Sequence, residues 1–200
     1  MLFEEPANRK GLITIKEDLS IAKRGKDVLE DKVESLTKLF FEYIKLRRQK
    51  RTEIEKEIEK AFKDLILAES FMGLVLVKSH ALISETGNLE TSEKNIMGIK
   101  TLKFSWTPPK EVKRFSSIKL DETKRKFKIL LEKIIEVGEL EGIIKNFASE
   151  IDLTMKKINN LDNFIIPELE KTKKWIKLRI EQNEKEDILR YKIIKKKLRG

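Results

Sequence analysis

Apolar or small residues recur through the first part of the chain at Leu12, Ile15, Leu19, Ala22, Leu29, Val33, Leu36 and Phe40, with Lys26 filling one slot. Their steps alternate between three and four residues, which is the seam of a coiled coil. The pattern resumes at Ile44 and then at Ile54, Ile58, Ala61, Leu65, Ala68, Met72 and Val75. From Phe40 to Ile44 the step is four where three is due, a stutter that locally unwinds a supercoil. The slots between Ile44 and Ile54 fall on Arg47 and Arg51, so a basic layer interrupts the seam. These arginines either snorkel out to water or meet a partner where the seam is thinly packed.

Glu85-Thr86-Gly87-Asn88 reads as a helix stop, with Gly87 available as a left-handed C-cap. Leu102, Phe104 and Trp106 then alternate with polar residues, which argues strand, and Asn95 to Ile99 offers a partner. Pro108-Pro109 breaks the run. A second long seam follows Ser117 to Asp121, where Ser and Asp offer N-caps. It passes through Leu130, Ile134, Val137, Ile144, Ala148, Ile151, Met155, Ile158, Ile165, Leu169, Thr172 and Ile176, with Glu141 and Asp162 at weak slots. Pro167 inside it removes a backbone donor and predicts a local bend.

The fold class expected is therefore all-α: an antiparallel two-helix coiled coil from the N- and C-terminal segments. Its connector is expected to hold a short β-hairpin or an irregular cap. One elongated domain is expected over 1–200, with helices over about 10–84 and 120–197 and the connector over 85–119. Neither helix is stable alone in water without burying its stripe on the other.

Composition agrees with a thin seam and solvated flanks, since 39% of residues are charged against roughly 25% in a typical soluble protein. The net charge of +10 favours an acidic partner, whether nucleic acid, an anionic surface or an acidic protein lining. Cysteine is absent, which fits a reducing compartment. No signal-like leader and no membrane-spanning apolar run is present, so no direct membrane insertion is expected.

Motifs for chemistry are missing. There is no phosphate-binding GxxxxGK[ST] loop and no GxGxxG. The single histidine, His80, rules out His-pair metal sites and His-based triads, and it reads as structural. No catalytic, cofactor or metal residue is expected. Two basic blocks stand out, Arg47 to Arg51 and the tail with Lys195, Lys196 and Lys197. In the tail, cations suit the negative end of a helix, and they equally suit an acidic lining. No aromatics interleave with these blocks, which argues against nucleic acid. Trp175 reads as a residue at the seam's edge, and Trp106 as a candidate partner anchor.

Specific residues carry a resemblance. The run from Leu19 to Leu36 fits L-x-x-A-x-[KR]-G-x-x-x-L-x-x-K-x-x-x-L at every position, including Arg24-Gly25. Ile158 to Pro167 is similar to an N-x-L-[DE]-x-[VF]-x-I-P segment, and Lys94 to Ile99 resembles the same family's connector. The chain thus resembles the D subunit of the V/A-type rotary ATPases. That resemblance implies a non-catalytic central-stalk protein, peripheral to the membrane on the cytoplasmic side. It implies a hetero-oligomeric complex with the catalytic ring subunits A and B, an F subunit and a funnel-shaped C subunit. It also implies a shaft carrying torque between that ring and the ion-translocating sector. Gly25 would let backbones approach closely. The candidate contact or structural residues are Gly25, Arg47, Arg51, Trp106, Pro167, Trp175, Lys195, Lys196 and Lys197. The alternative is a freestanding coiled-coil scaffold or nucleic-acid adaptor.

Overall fold

The structure, a computed structural model, describes residues 6–83, 87–109 and 118–198. Four helices, α1 (Arg9–Met72), α2 (Leu74–Ile83), α3 (Ile118–Asn160) and α4 (Ile166–Leu198), enclose a hairpin of β1 (Asn88–Ile96) and β2 (Ile99–Thr107) in chain order. The chain packs as two compact units, Met1–Ser35 with Ile151–Gly200, and Leu36–Glu150.

In the first unit, α1 opens on a side-chain cap. The Gly11 N–H donates to Asn8 Oδ1 at 2.7 Å, satisfying one of the orphan donors of the first turn. A Cβ at Gly11 would lie 2.2 Å from the Pro6 carbonyl oxygen, so the cap requires glycine there. The start of α1 runs antiparallel to α4, as three cross-helix pairs show: Arg9–Glu184 at 2.9 Å, Lys23–Glu170 at 2.9 Å and Lys26–Asp162 at 2.7 Å. Ile15, Leu19, Leu169 and Ile176 form the core, flanked by Leu12, Ala22, Ile166 and Ile180. Each buried Leu or Ile contributes about 1.5–3 kcal/mol relative to exposure. Thr172 is buried with them because its hydroxyl donates to the Glu168 carbonyl at 2.9 Å.

Where a bend is expected at Pro167, the helix changes its hydrogen-bonding pattern. Just before it, Leu161–Ile165 form a single π-turn, and the Ile166 N–H donates to the Leu161 carbonyl five residues back. A π-turn absorbs one extra residue relative to α-helix. That extra residue corrects the expected seam: Ile165 remains partly exposed, while Ile166 packs on the core.

In the second unit, α1 and α3 are antiparallel and laced by Arg47–Glu141, Lys50–Glu136, Glu57–Lys133 and Asp64–Lys126. Ile54, Ala61 and Leu130 form a core with Ile58, Phe127 and Val137 against it. Phe62 meets Phe127 edge-on at 5.6 Å, and Tyr43 meets Phe147 likewise at 5.6 Å. Along α3, Leu130, Val137, Ile144, Ile151 and Ile158 are buried or half-buried as expected. The alternate slots differ. Ile134, Ala148 and Met155 are exposed, and the chain buries Leu140, Phe147 and Thr154, each three residues after a seam position instead of four. The hairpin accounts for part of this shift. Asn146 donates through Nδ2 to the Lys100 carbonyl at 2.9 Å, and the Phe104 N–H donates to the Glu139 carboxylate at 3.5 Å. These bonds hold β2 over this stretch of α3.

The expected first helix, about 10–84, is interrupted. Gly73 has φ +82, a left-handed value natural to glycine, and α2 departs there at 113° to α1. Val75, expected on the seam, is exposed as a result, and Val77 is buried. Gly87 is not a left-handed cap. It lies under Trp106, where a Cβ would sit 2.5 Å from the indole nitrogen. The other residues of that expected stop, Glu85 and Thr86, and the expected cap Ser117 lie outside the described residues. The hairpin is present, antiparallel, with Ile96 opposite Ile99 around Met97-Gly98. Its first strand starts at Asn88, earlier than the pattern implied.

Candidate partner-contact surfaces

Gly25 does not bring backbones together. A Cβ built on it meets nothing within 4 Å. It floors a shallow apolar groove lined by Ile21, Ala22, Arg24, Val28, Leu29 and Leu161, all in the first unit. Leu161 belongs to the π-turn, so two of the chain's family-like motifs, Leu19 to Leu36 and Ile158 to Pro167, meet at this groove. Ile21 and Val28 on its walls are exposed.

The polar interruptions of the two seams face one another. Lys26, in a seam slot of α1, bonds Asp162, the weak slot of the π-turn, and reaches Glu30 at 3.7 Å. The hydrogen bond to Asp162 holds the Lys26 ammonium above its ordinary pKa; partial burial opposes this, and the charges of Asp162 and Glu30 add to it. Glu170 is held below the usual carboxylate range first by its hydrogen bond to Lys23. In the second unit Arg47 grips Glu141 through Nε at 2.8 Å and Nη2 at 2.7 Å. Arg51 turns along its own helix to Glu55 at 3.1 Å. The basic layer therefore divides: Arg47 closes the seam, and Arg51 lies on the solvated flank.

Trp106 is half-buried on β2 over Gly87. Trp175 is partly exposed between the buried Thr172 and Ile176, at the seam's edge. Pro167 is half-buried at the start of α4. Lys195, Lys196 and Lys197 end α4 and are exposed. Beyond Glu184 every described residue of α4 is exposed, including Ile188, Leu189, Tyr191, Ile193, Ile194 and Leu198.

One surface was not singled out from the sequence. Around the Gly73 bend, Phe71 (74%), Val75 (81%) and Leu82 (87%) project into solvent with Leu74 and Leu76. The seam was expected to run on through Met72 to Val75, and the break at Gly73 turns Val75 outward instead. Among the described residues no cluster of three or more acidic or histidine side chains could hold a metal ion. Among them, too, no single helix is long and apolar enough to cross a membrane; the bent pair α1 and α2 passes by length and composition alone.

A family model for the ATP synthase D subunit matches residues 11–196. The A-type ATP synthase D subunit of Methanosarcina acetivorans is 33% identical over 200 residues, covering 96% of this chain and 96% of that protein. The corresponding A-type protein of Thermococcus kodakarensis is 30% identical, covering 97% and 94%. A V-type ATP synthase D subunit from Thermoanaerobacter pseudethanolicus is 30% identical, covering 94% and 93%.

Proposed function

The chain belongs to the ATP synthase D-subunit family, and from that premise we propose that it is the non-catalytic central shaft of an A/V-type rotary ATPase. In this reading it carries torque between the ring of subunits A and B and the ion-translocating membrane sector. The F and C subunits are its other partners, and it works on the cytoplasmic side, peripheral to the membrane.

The observation that carries this reading is the end of α4. Its last turns project exposed apolar and cationic side chains on all sides, and the ion pairs described there, from Arg190 to Glu186 and Asp187, stay within the same helix. A single helix of that length is marginal in water, so a surrounding collar, apolar with acidic groups, suits it. The basic tail serves both as complement to the helix dipole and as a match for such a lining. The exposed apolar side chains at the Gly73 bend suit a second socket, which we assign to the C subunit. Matched ion pairs along both units suit a shaft whose helices must not slide past each other under load. The flanking charges are solvated, and exposed pairs of about 0–1 kcal/mol each favour many weak contacts over a few that lock.

Co-expression with subunits A, B and F tests the proposal. The chain should co-purify with the assembled ring, and truncation after Glu184 should abolish that while leaving the paired helices folded. Retention of a full-strength ring complex by the truncated chain would sink the collar reading.

A further inference from the structure

Among the described residues the hairpin has one edge in use and one open. Its two-residue loop makes Ile96 and Ile99 a hydrogen-bonded pair, so Lys94–Thr101, Ser92–Lys103 and Glu90–Ser105 are hydrogen-bonded pairs as well. Backbone groups of the alternate residues point outward. On β2, α3 takes two of these, the Lys100 carbonyl and the Phe104 N–H. On β1 the outward groups belong to Leu89, Thr91, Glu93 and Asn95. Among the described residues none of their backbone groups has a partner outside the hairpin. All of β1 from Asn88 to Asn95 is exposed. Such an edge is a template for another strand.

Charges on an edge strand ordinarily blunt pairing. Here their order selects one register instead. Two β1 strands laid antiparallel about Ser92 place Thr91 opposite Glu93 of the other copy as a hydrogen-bonded pair. Glu90 then stands opposite Lys94 of the other copy, in the closer non-hydrogen-bonded pair, and the two-fold axis repeats this contact. Centring on Glu93 sets that carboxylate against itself. Centring on Thr91 leaves Glu90 opposite Ser92, with no ion pair. Neither Glu90 nor Lys94 has an ion-pair partner in its own chain among the described residues. We propose that the free edge of β1 pairs antiparallel with β1 of a second copy of this chain, joining two hairpins into a four-stranded sheet. This does not depend on the shaft reading, because it concerns the chain before it enters any complex.

Sedimentation velocity of the full chain over a concentration series tests it. The wild type should shift from monomer to dimer as concentration rises. Lys94→Glu turns two attractive cross-strand pairs repulsive and should raise the dimer dissociation constant roughly tenfold or more. The double swap Glu90→Lys with Lys94→Glu should restore it to within about twofold. Thr91→Pro removes an outward donor and no donor of the hairpin itself, so it should abolish the dimer with the hairpin amides still protected. A monomer at every concentration overturns the proposal, and so does failure of the double swap to restore the dimer. A dimer that survives Thr91→Pro but is lost in Phe71→Ser would place the interface on the apolar surface at Gly73 and overturn it equally.

Discussion

Replacing Gly25 with alanine separates what this glycine does for the fold from what it does for a partner. Gly25 lies deep within α1, where glycine is less favourable than alanine by roughly 0.5–1 kcal/mol, because it loses more backbone freedom on folding. A Cβ here meets nothing within 4 Å, so no clash offsets that gain. Gly25→Ala should therefore stabilise the isolated chain by about 0.5–1 kcal/mol. The assay is urea unfolding followed by far-ultraviolet circular dichroism, with the midpoint moving up at unchanged slope. Gly138→Ala and Gly142→Ala in α3 are the controls, since their added methyl groups also meet open space, and both should gain a similar amount. Gly11→Ala should lose stability, because its methyl would collide with the Pro6 carbonyl. If Gly25→Ala destabilises the isolated chain while the α3 controls gain, the groove is not open and the reasoning fails. If a partner side chain fills the groove, the same variant should gain stability alone yet co-purify less well with A, B and F.

Phe147→Ala should cost about 3–5 kcal/mol by the same unfolding assay, since its ring is fully buried and stacked edge-on against Tyr43. Met97 is the one described non-glycine residue with positive φ, at 52°, in a two-residue turn that favours Asn-Gly; Met97→Asn should stabilise the hairpin by roughly 0.5–1 kcal/mol, read as slower amide exchange in β1 and β2. Lys26, Lys126 and Lys133 are held above 10.5, so their contribution is full below that pH and is lost as pH rises through their raised values; Asp162→Asn should flatten the alkaline fall in stability. Glu59 and Glu170 are held below 4.5, so their contribution is present above that pH and is lost as pH falls through the depressed values; Lys23→Met should remove the Glu170 part of the acid fall, measured by midpoint against pH.

The helices and their antiparallel pairing were legible because a three-four period has one physical meaning over so many turns. The hairpin was legible from the alternation at Leu102, Phe104 and Trp106. The Gly73 bend was not. A glycine within an apolar helical run is usually tolerated at a cost of about 1 kcal/mol, and nothing local distinguishes it from one that turns left-handed. The π-turn was half legible: Pro167 announced a disturbance, but a one-residue phase shift shows only when Ile166 replaces Ile165 against the core. On α3 the alternate slots were misplaced in part because the hairpin bonds to Glu139 and Asn146, on a flank that a two-helix pattern assigns to water. For the partner surfaces, the pattern marked Gly25 but reversed its role. The close backbone contact it implied is absent, and open space stands there instead.

The polar slots that weakened both seams prove to be their most specific feature. A seam of Leu, Ile and Val tolerates sliding by one heptad, since each apolar residue meets another of similar size. A charged slot does not. Slide α4 by seven residues against α1 and Lys26 leaves Asp162 for Leu169 or Met155, a cation in the seam with no carboxylate to hold it. The same slide on α3 carries Arg47 from Glu141 to Ile134 or Ala148. Lys26 and Arg47 are only partly exposed, so a register that leaves either without its carboxylate forfeits a hydrogen-bonded pair at a half-buried slot and sets the cation against apolar side chains. These layers therefore act less by stabilising the correct register than by penalising the others. For paired helices proposed to carry torque, resistance to axial slip matters more than depth of the free-energy minimum, and one charge layer in each unit supplies it at little expense of apolar burial.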